Sequence, residues 1–185
     1  MTGRGRIAEA VALVALAAAL APNSQAQEKQ EYDLKAGFLV NFARFVAWPA
    51  DAFASPGDPV AICLYADDPF QGALERAVAG KTVGQRSVVV RRISDPAAAA
   101  GCHLLFVPAS QDRNTRKISA GAAGQPVLLV GEADGFAERG GSVNFVLEGD
   151  RLRFQINPSA ASGRRLRVSS KLLQLAVIVG DKEHN

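Results

Sequence analysis

Apolar and polar residues fall into two alternating patterns along this chain, one helical and one extended. The first clear segment is LKAGFLVNFARFVAWP, residues 34–49. Leu34, Phe38, Phe42, Phe45 and Val46 recur at helical spacing, and only Lys35, Asn41 and Arg44 interrupt an otherwise oily circumference. Pro49 pushes Trp48 out of the α region and ends the helix. Short apolar runs then alternate with helical stretches. The runs VAICLY (60–65), SVVVRRI (87–93), HLLFV (103–107) and PVLLV (126–130) read as strands, the first and third covered on both faces. Between them lie a helix over 70–79, opened by Asp67-Asp68-Pro69, and a turn of alanines after Asp95-Pro96. A helix over 111–121 with glycine at its exit and a short helix over 133–139 complete the set.

The pattern then changes. Residues 142–147 and 152–156 alternate in and out across Glu148-Gly149-Asp150-Arg151, which spells an antiparallel hairpin. A last helix runs from Ser169 or Ser170 to Val179, with Leu172, Leu173, Leu175, Ala176 and Val179 covering much of its circumference. Strands alternating with helices predict an α/β fold. The expected form is a three-layer α/β/α sandwich of about six strands, mainly parallel, with the hairpin at one edge. The first and last helices are expected on one face, only partly covered within one chain.

Of the 185 residues, the first 26 read as a secretory signal: arginines at 4 and 6, an Ala/Leu/Val run, then Ser24-Gln25-Ala26. A membrane anchor is the alternative, and Glu9 is a blemish on either. Residues 27–185 suit one domain with a full-sized core, exported from the cytoplasm, with no membrane span once the signal is removed. The charge of +3 falls to +2 without the two arginines and one glutamate of the signal, which is too small a surplus to indicate nucleic acid. Cys63 and Cys102 are the only cysteines. An even count in an exported chain favours a disulfide, with a structural role ahead of a redox-sensing one.

Candidate chemistry is thin. His103 and His184 are the only histidines. His103 follows Cys102, and neighbours on a strand point to opposite faces, so a Cys-His nucleophilic pair is poorly placed. No His/Cys/Asp/Glu spacing suits a metal, no phosphate-binding glycine motif follows a strand, and neither catalytic residues nor a cofactor are assigned. What remains is a polar grouping near the two oily helices: Asn41, Arg44, Asn157, Arg167, Ser169, Ser170 and Lys171. It reads either as a small anion site or as ordinary caps and snorkelled side chains.

Five blocks in order, LKAGFLVNFARFVAWP (34–49), CLYADDPFQGAL (63–74), CHLLFVPAS (102–110), GGSVNFVLEGDRLRFQIN (140–157) and RVSSKLLQLAVIV (167–179), resemble the YfiR family of periplasmic proteins. That resemblance implies a non-enzymatic regulator that holds a YfiN-like inner-membrane diguanylate cyclase inactive, lowering cyclic di-GMP and with it biofilm formation. It implies an OmpA-type outer-membrane lipoprotein as a second partner, a homodimer, an α/β sandwich, and pairing of Cys63 with Cys102. Gly37, Val40 and Ala47 depart from the residues common in the family. On this reading Phe38, Leu39, Phe42, Phe45 and Trp48 divide between core and partner contact, aromatics being the usual anchors. The alternative is a sensor of a nucleotide or amino acid with an unknown partner.

Overall fold

A computed structural model describes residues 24–180. The chain divides after Glu31. In the first unit the described part, residues 24–31, is helical, with residues 25–30 exposed. The second unit, Tyr32–Asn185, holds the sheet and both cores.

Helix α1 (Ser24–Phe45) is longer than its oily segment. Lys35, Ala36, Leu39, Val40, Phe42 and Ala43 are buried along one stripe, while Leu34, Gly37, Asn41, Arg44 and Phe45 are exposed. The helix is therefore two-sided after all, its outer face carrying two of the apolar residues that blurred its periodicity. Gly37 has open space where a Cβ would stand, so it costs about 1 kcal/mol against alanine with no packing in return. The chain leaves the helix before Trp48-Pro49 because β1 (Val46–Ala47) pairs antiparallel with β9 (Arg167–Val168).

The main sheet has eight strands in the order β10-β8-β7-β6-β5-β2-β4-β3. They are β2 (Val60–Tyr65), β3 (Thr82–Val83), β4 (Arg86–Ile93), β5 (Leu104–Val107), β6 (Leu128–Gly131), β7 (Val143–Glu148), β8 (Arg151–Ile156) and β10 (Val177–Ile178). Pairs β4–β2, β2–β5, β5–β6, β6–β7 and β8–β10 are parallel; β7–β8 and β3–β4 are antiparallel. Helices α2 (Ala73–Val78), α3 (Thr115–Gly121), α4 (Pro158–Gly163) and α5 (Ser170–Leu173) are all short, and 3-10 turns fill Pro96–Gly101 and Ala109–Asn114.

Strand alternation builds two cores. Ile62, Leu64, Leu104, Phe106, Leu128 and Val130 face Leu39 and Phe42 of α1 and Leu74 of α2. Ala61, Cys63, Leu105, Val107 and Leu129 face Ile118 of α3 and Phe136. These are the two faces of the expected α/β/α sandwich, with eight strands and a further two-stranded ribbon where about six strands were expected. The Cys63–Cys102 disulfide is formed, with Cα atoms 5.8 Å apart, inside the second core.

Two expectations are corrected. The last helix covers only Ser170–Leu173, and residues beyond it turn into β10. Val177 and Ile178 are β-branched, and the free side of β8 offers unpaired backbone: the Val179 amide donates to the Ile156 carbonyl at 2.9 Å. A tertiary partner outweighs helical spacing here. The hairpin β7–β8 is consequently not the edge, since β10 covers it.

Candidate functional site

In an open parallel sheet, ligands usually enter where the strand order reverses, beyond the carboxyl ends of the strands. Here that point lies between β2 and β5. Its flanking loops are tied to each other. Asp67, after β2, accepts hydrogen bonds from Ser110 Oγ at 2.6 Å and Gln111 Nε2 at 2.9 Å, both after β5. Those two bonds hold the Asp67 carboxyl below its ordinary value. Glu132, after β6, accepts from the Ala109 amide at 3.0 Å, from Tyr32 Oη at 3.1 Å and from Lys35 Nζ at 2.6 Å. The usual crevice is thus spanned by the protein's own groups, and α1 is fixed across it.

At the opposite end of the sheet, α1 finishes beside a groove of about 450 Å³. Arg44 and Phe45 of α1, the β1–β9 ribbon, Ser169 and Lys171 line it. The ribbon exists because β1 leaves the helix early, and the Ser169 amide donates to the Phe45 carbonyl at 2.9 Å, closing the groove's floor. Arg44 Nε reaches the Thr82 carbonyl at 3.4 Å. Among the described residues no carboxylate forms an ion pair with Arg44, Arg167 or Lys171. The groove is therefore cationic, with the half-exposed Phe45 ring at its wall.

Four of the seven expected ligand residues, Arg44, Arg167, Ser169 and Lys171, meet in this groove. The other three do not line it. Asn157 is buried and spent: its Oδ1 caps α4 by accepting from the Ala160 amide at 3.0 Å, and its Nδ2 donates to the Ala137 carbonyl at 2.9 Å. Asn41 is exposed on α1, and Ser170 is exposed at the start of α5. Nor does the last helix offer an amide site for an anion. It has four residues, and Ser169 Oγ already accepts from the Lys171 amide at 3.2 Å.

The five expected partner residues also separate. Leu39 and Phe42 are completely buried and belong to the core, because the inner stripe of α1 includes them. Phe38 is half-buried against Phe154 and Phe145, with ring centroids 5.6 and 6.1 Å away. Trp48 is half-buried, donating from Nε1 to the His103 carbonyl at 3.1 Å. Phe45 alone is exposed.

The exposed apolar surface lies elsewhere. Leu147, Leu175, Val177 and Ile178 are between 48% and 71% exposed. Leu147 pairs with Leu152 on the hairpin, and β10 runs beside β8 with Val177 opposite Gln155. Leu147 therefore lies apart beside the hairpin turn, on the sheet face opposite Val177, whereas Leu175, Val177 and Ile178 mark the β10 edge, where an edge strand presents unpaired backbone. Sequence reasoning missed them because Leu175 and Val179 fitted a helix; the β-branched pair Val177-Ile178 was the available signal.

His103 is spent structurally. The Ala61 amide donates to its Nδ1 at 3.1 Å, so Nε2 carries the proton and donates to the Ala52 carbonyl, also at 3.1 Å. Its ring stacks on Phe53 with centroids 4.3 Å apart. Burial holds the imidazole below its ordinary value; the Ala52 bond opposes this, and Arg86 and Arg91 add to it. The unfolded chain, with histidine near 6.5, therefore binds a proton before the folded one does, and stability falls as pH drops below about 6.5. Urea midpoints measured from pH 8 to pH 5 should show that decline. His103→Gln, which cannot titrate, should flatten it above the range where carboxylates protonate; an equal decline in both proteins refutes the assignment. His184 lies outside the described residues. Among the described residues no group of three or more His, Cys, Asp or Glu side chains is placed to hold a metal, and no helix is long and apolar enough to cross a membrane.

Comparison with known proteins agrees with this architecture. The chain is similar to an ABC domain from Streptococcus pneumonia solved in complex with L-Trp, with a TM-score of 0.53 and 11% identity. The match covers 78% of this chain and 62% of that one, and at this identity it speaks for the fold alone. No curated protein sequence matches. The model of the YfiR/HmsC-like family matches residues 32–177, from the buried half of α1 through the first residue of β10. The chain belongs to the YfiR/HmsC-like family.

Proposed function

We propose that this protein is a periplasmic regulator that works by contact, without catalysis. On this reading it binds the periplasmic domain of an inner-membrane diguanylate cyclase and keeps the enzyme inactive, so cyclic di-GMP output falls. Family membership supports the regulatory role, and the export signal assigned to residues 1–26 belongs to the same proposal. The observation that carries the contact is the apolar edge at β10, where Leu175, Val177 and Ile178 are exposed. Exposed apolar residues grouped this way mark binding surfaces, and an open edge strand adds backbone pairing to side-chain burial. The same edge suits a homodimer or an OmpA-type lipoprotein, and competition among the three would make it a switch.

The test uses the ectodomain of a membrane-bound diguanylate cyclase from the same genome. Leu175→Asp and Ile178→Asp each place a charge in the proposed contact and should weaken binding at least tenfold. Both residues are outside the core, so urea midpoints should stay close to the parent. Unchanged affinity in both variants removes the edge from the contact, and no binding by the parent protein removes the cyclase.

The cationic groove favours a second reading that is compatible with the first. Arg44, Arg167 and Lys171 beside Phe45 suit a nucleotide or an amino acid, an anion with a flat apolar part. Competition between such a ligand and the cyclase ectodomain separates a ligand sensor from a purely protein-binding regulator.

A further inference from the structure

Residues 49–59 join β1 to β2 as a strap laid against the fold. Among the described residues its backbone–backbone hydrogen bonds stay within it: the Ala52 amide donates to the Pro49 carbonyl at 3.0 Å, Phe53 to Ala50 at 3.3 Å and Asp58 to Ser55 at 3.2 Å. Side chains hold it to the rest of the molecule. Arg165 pairs with Asp51 at 2.7 Å on the surface. Arg86 of β4 lies over the Phe53 ring, 3.7 Å from its centroid, and its Nη1 donates to the Ser55 and Asp58 carbonyls at 2.9 and 2.7 Å. The third is His103, which grips Ala52 through Nε2 and stacks on Phe53.

That grip requires a neutral ring. Nδ1 accepts the Ala61 amide of β2 at 3.1 Å, while the His103 amide donates to the Ala61 carbonyl at 2.9 Å. Ring and backbone together therefore occupy both polar groups of Ala61. A protonated imidazole has a donor at each nitrogen and an acceptor at neither. Its Nδ1–H would face the Ala61 N–H, and turning the ring over brings the other donor to the same place. The charges nearby do not relieve this. Arg86 and Arg91 of β4 oppose the imidazolium, and Asp58 on the strap favours it; Ala61 from β2 and Trp48 after β1 bring no charge. The Ser55 hydroxyl and amide hold the Asp58 carboxyl below its ordinary value, so Asp58 stays ionised wherever a histidine titrates.

We propose that His103 is a proton-operated latch: its neutral ring keeps residues 49–59 closed, and its protonation releases them while both cores stay folded. Closed, the imidazole is held below its ordinary value, by burial above all; released into solvent it returns to about 6.5. The open form takes up a proton that the closed form refuses. The latch is therefore shut above about pH 6.5, and the open share grows as pH falls below it. Release bares Phe53 beside Trp48, the residue after the groove-lining Ala47, so the surface next to the cationic groove changes with pH.

Amide hydrogen exchange of the purified protein at pH 7.5 and pH 5.5, corrected for intrinsic exchange, tests this. The amides of Ala52, Phe53, Asp58 and Ala61 should open at least about fivefold more often at the lower pH. At both pH values they should open at least about tenfold more often than those of Leu105 and Phe106 in β5, the mark of a local event and not of global unfolding. His103→Gln should abolish the rise. His184→Gln, which leaves His103 as the only histidine, should keep it, and decides alone if His103→Gln does not fold. The proposal is overturned by strap amides that open only as often as those of β5, by no rise at pH 5.5, by a rise that survives His103→Gln, or by its loss in His184→Gln.

Discussion

Glu132→Gln lowers the stability of this protein by about 3–5 kcal/mol, the cost of leaving one partner of a buried ion pair without the other. Lys35 and Glu132 have side chains 5% and 6% exposed, joined at 2.6 Å. Glutamine keeps the shape and one acceptor for the Ala109 amide and the Tyr32 hydroxyl. Its other end becomes an NH2 group facing the ammonium, donor against donor. The Tyr32 ring, 4.5 Å from Lys35 Nζ, offsets only part of the loss, because such a contact contributes about 0.5–2 kcal/mol. In a chain of this size the melting temperature should fall by about 6–20 °C, at about 2–4 °C per kcal/mol. The double replacement Lys35→Met/Glu132→Leu removes both charges and should recover most of the loss, since apolar pairs of similar volume often match buried ion pairs. A midpoint for Glu132→Gln within 1 kcal/mol of the parent, measured by urea unfolding, contradicts the account.

That ion pair also shows where sequence reading ends. Strand β2 was legible to the residue, because a strand buried on both faces is a continuous apolar run bounded by polar loops. Lys35 was not: one lysine in a helical pattern looks like solvent-facing polarity, and its partner lies 97 residues away. The two-residue strands β1, β9 and β10 were missed for the same reason, each being formed by a distant partner. The groove was half legible. Arg44 and Lys171 stood out as cations on oily segments, but only the β1–β9 ribbon decides which neighbours join them. Asn157 looked like a ligand because a buried cap and a binding residue use the same side chain.

These assignments give the two ends of the sheet different roles. The carboxyl ends of β2, β5 and β6, the usual binding place, are spanned by Asp67, Ser110, Gln111 and the Glu132 cluster, which anchor α1. Cationic space is left at the opposite end, beside Arg44, and apolar space at the β10 edge. A ligand in the groove would touch α1, β9 and Ser169, and β10 begins eight residues after Ser169. Occupancy of the groove is thereby joined by a short stretch of chain to the proposed contact edge, whereas the Glu132 cluster lies on the far end of α1 and serves stability.

Removal of the disulfide by Cys63→Ala/Cys102→Ala lowers stability by about 3–4 kcal/mol, the chain-entropy value for the closed loop, whose ends are 39 residues apart. The bond ties β2 to a residue two positions before β5, the two strands at which the sheet reverses its order. Because the link acts mainly by restricting the unfolded chain, cutting it should also raise the urea m-value, as a freer chain exposes more surface. Both cysteines are buried, Cys63 completely, so dithiothreitol should release thiols from the native protein only as fast as the second core opens. Rapid reduction under native conditions, with stability unchanged, would mean that the bond is a switch and that packing alone holds β2 against β5. Slow reduction with a coincident loss of structure places it among the bonds that make a fold persist.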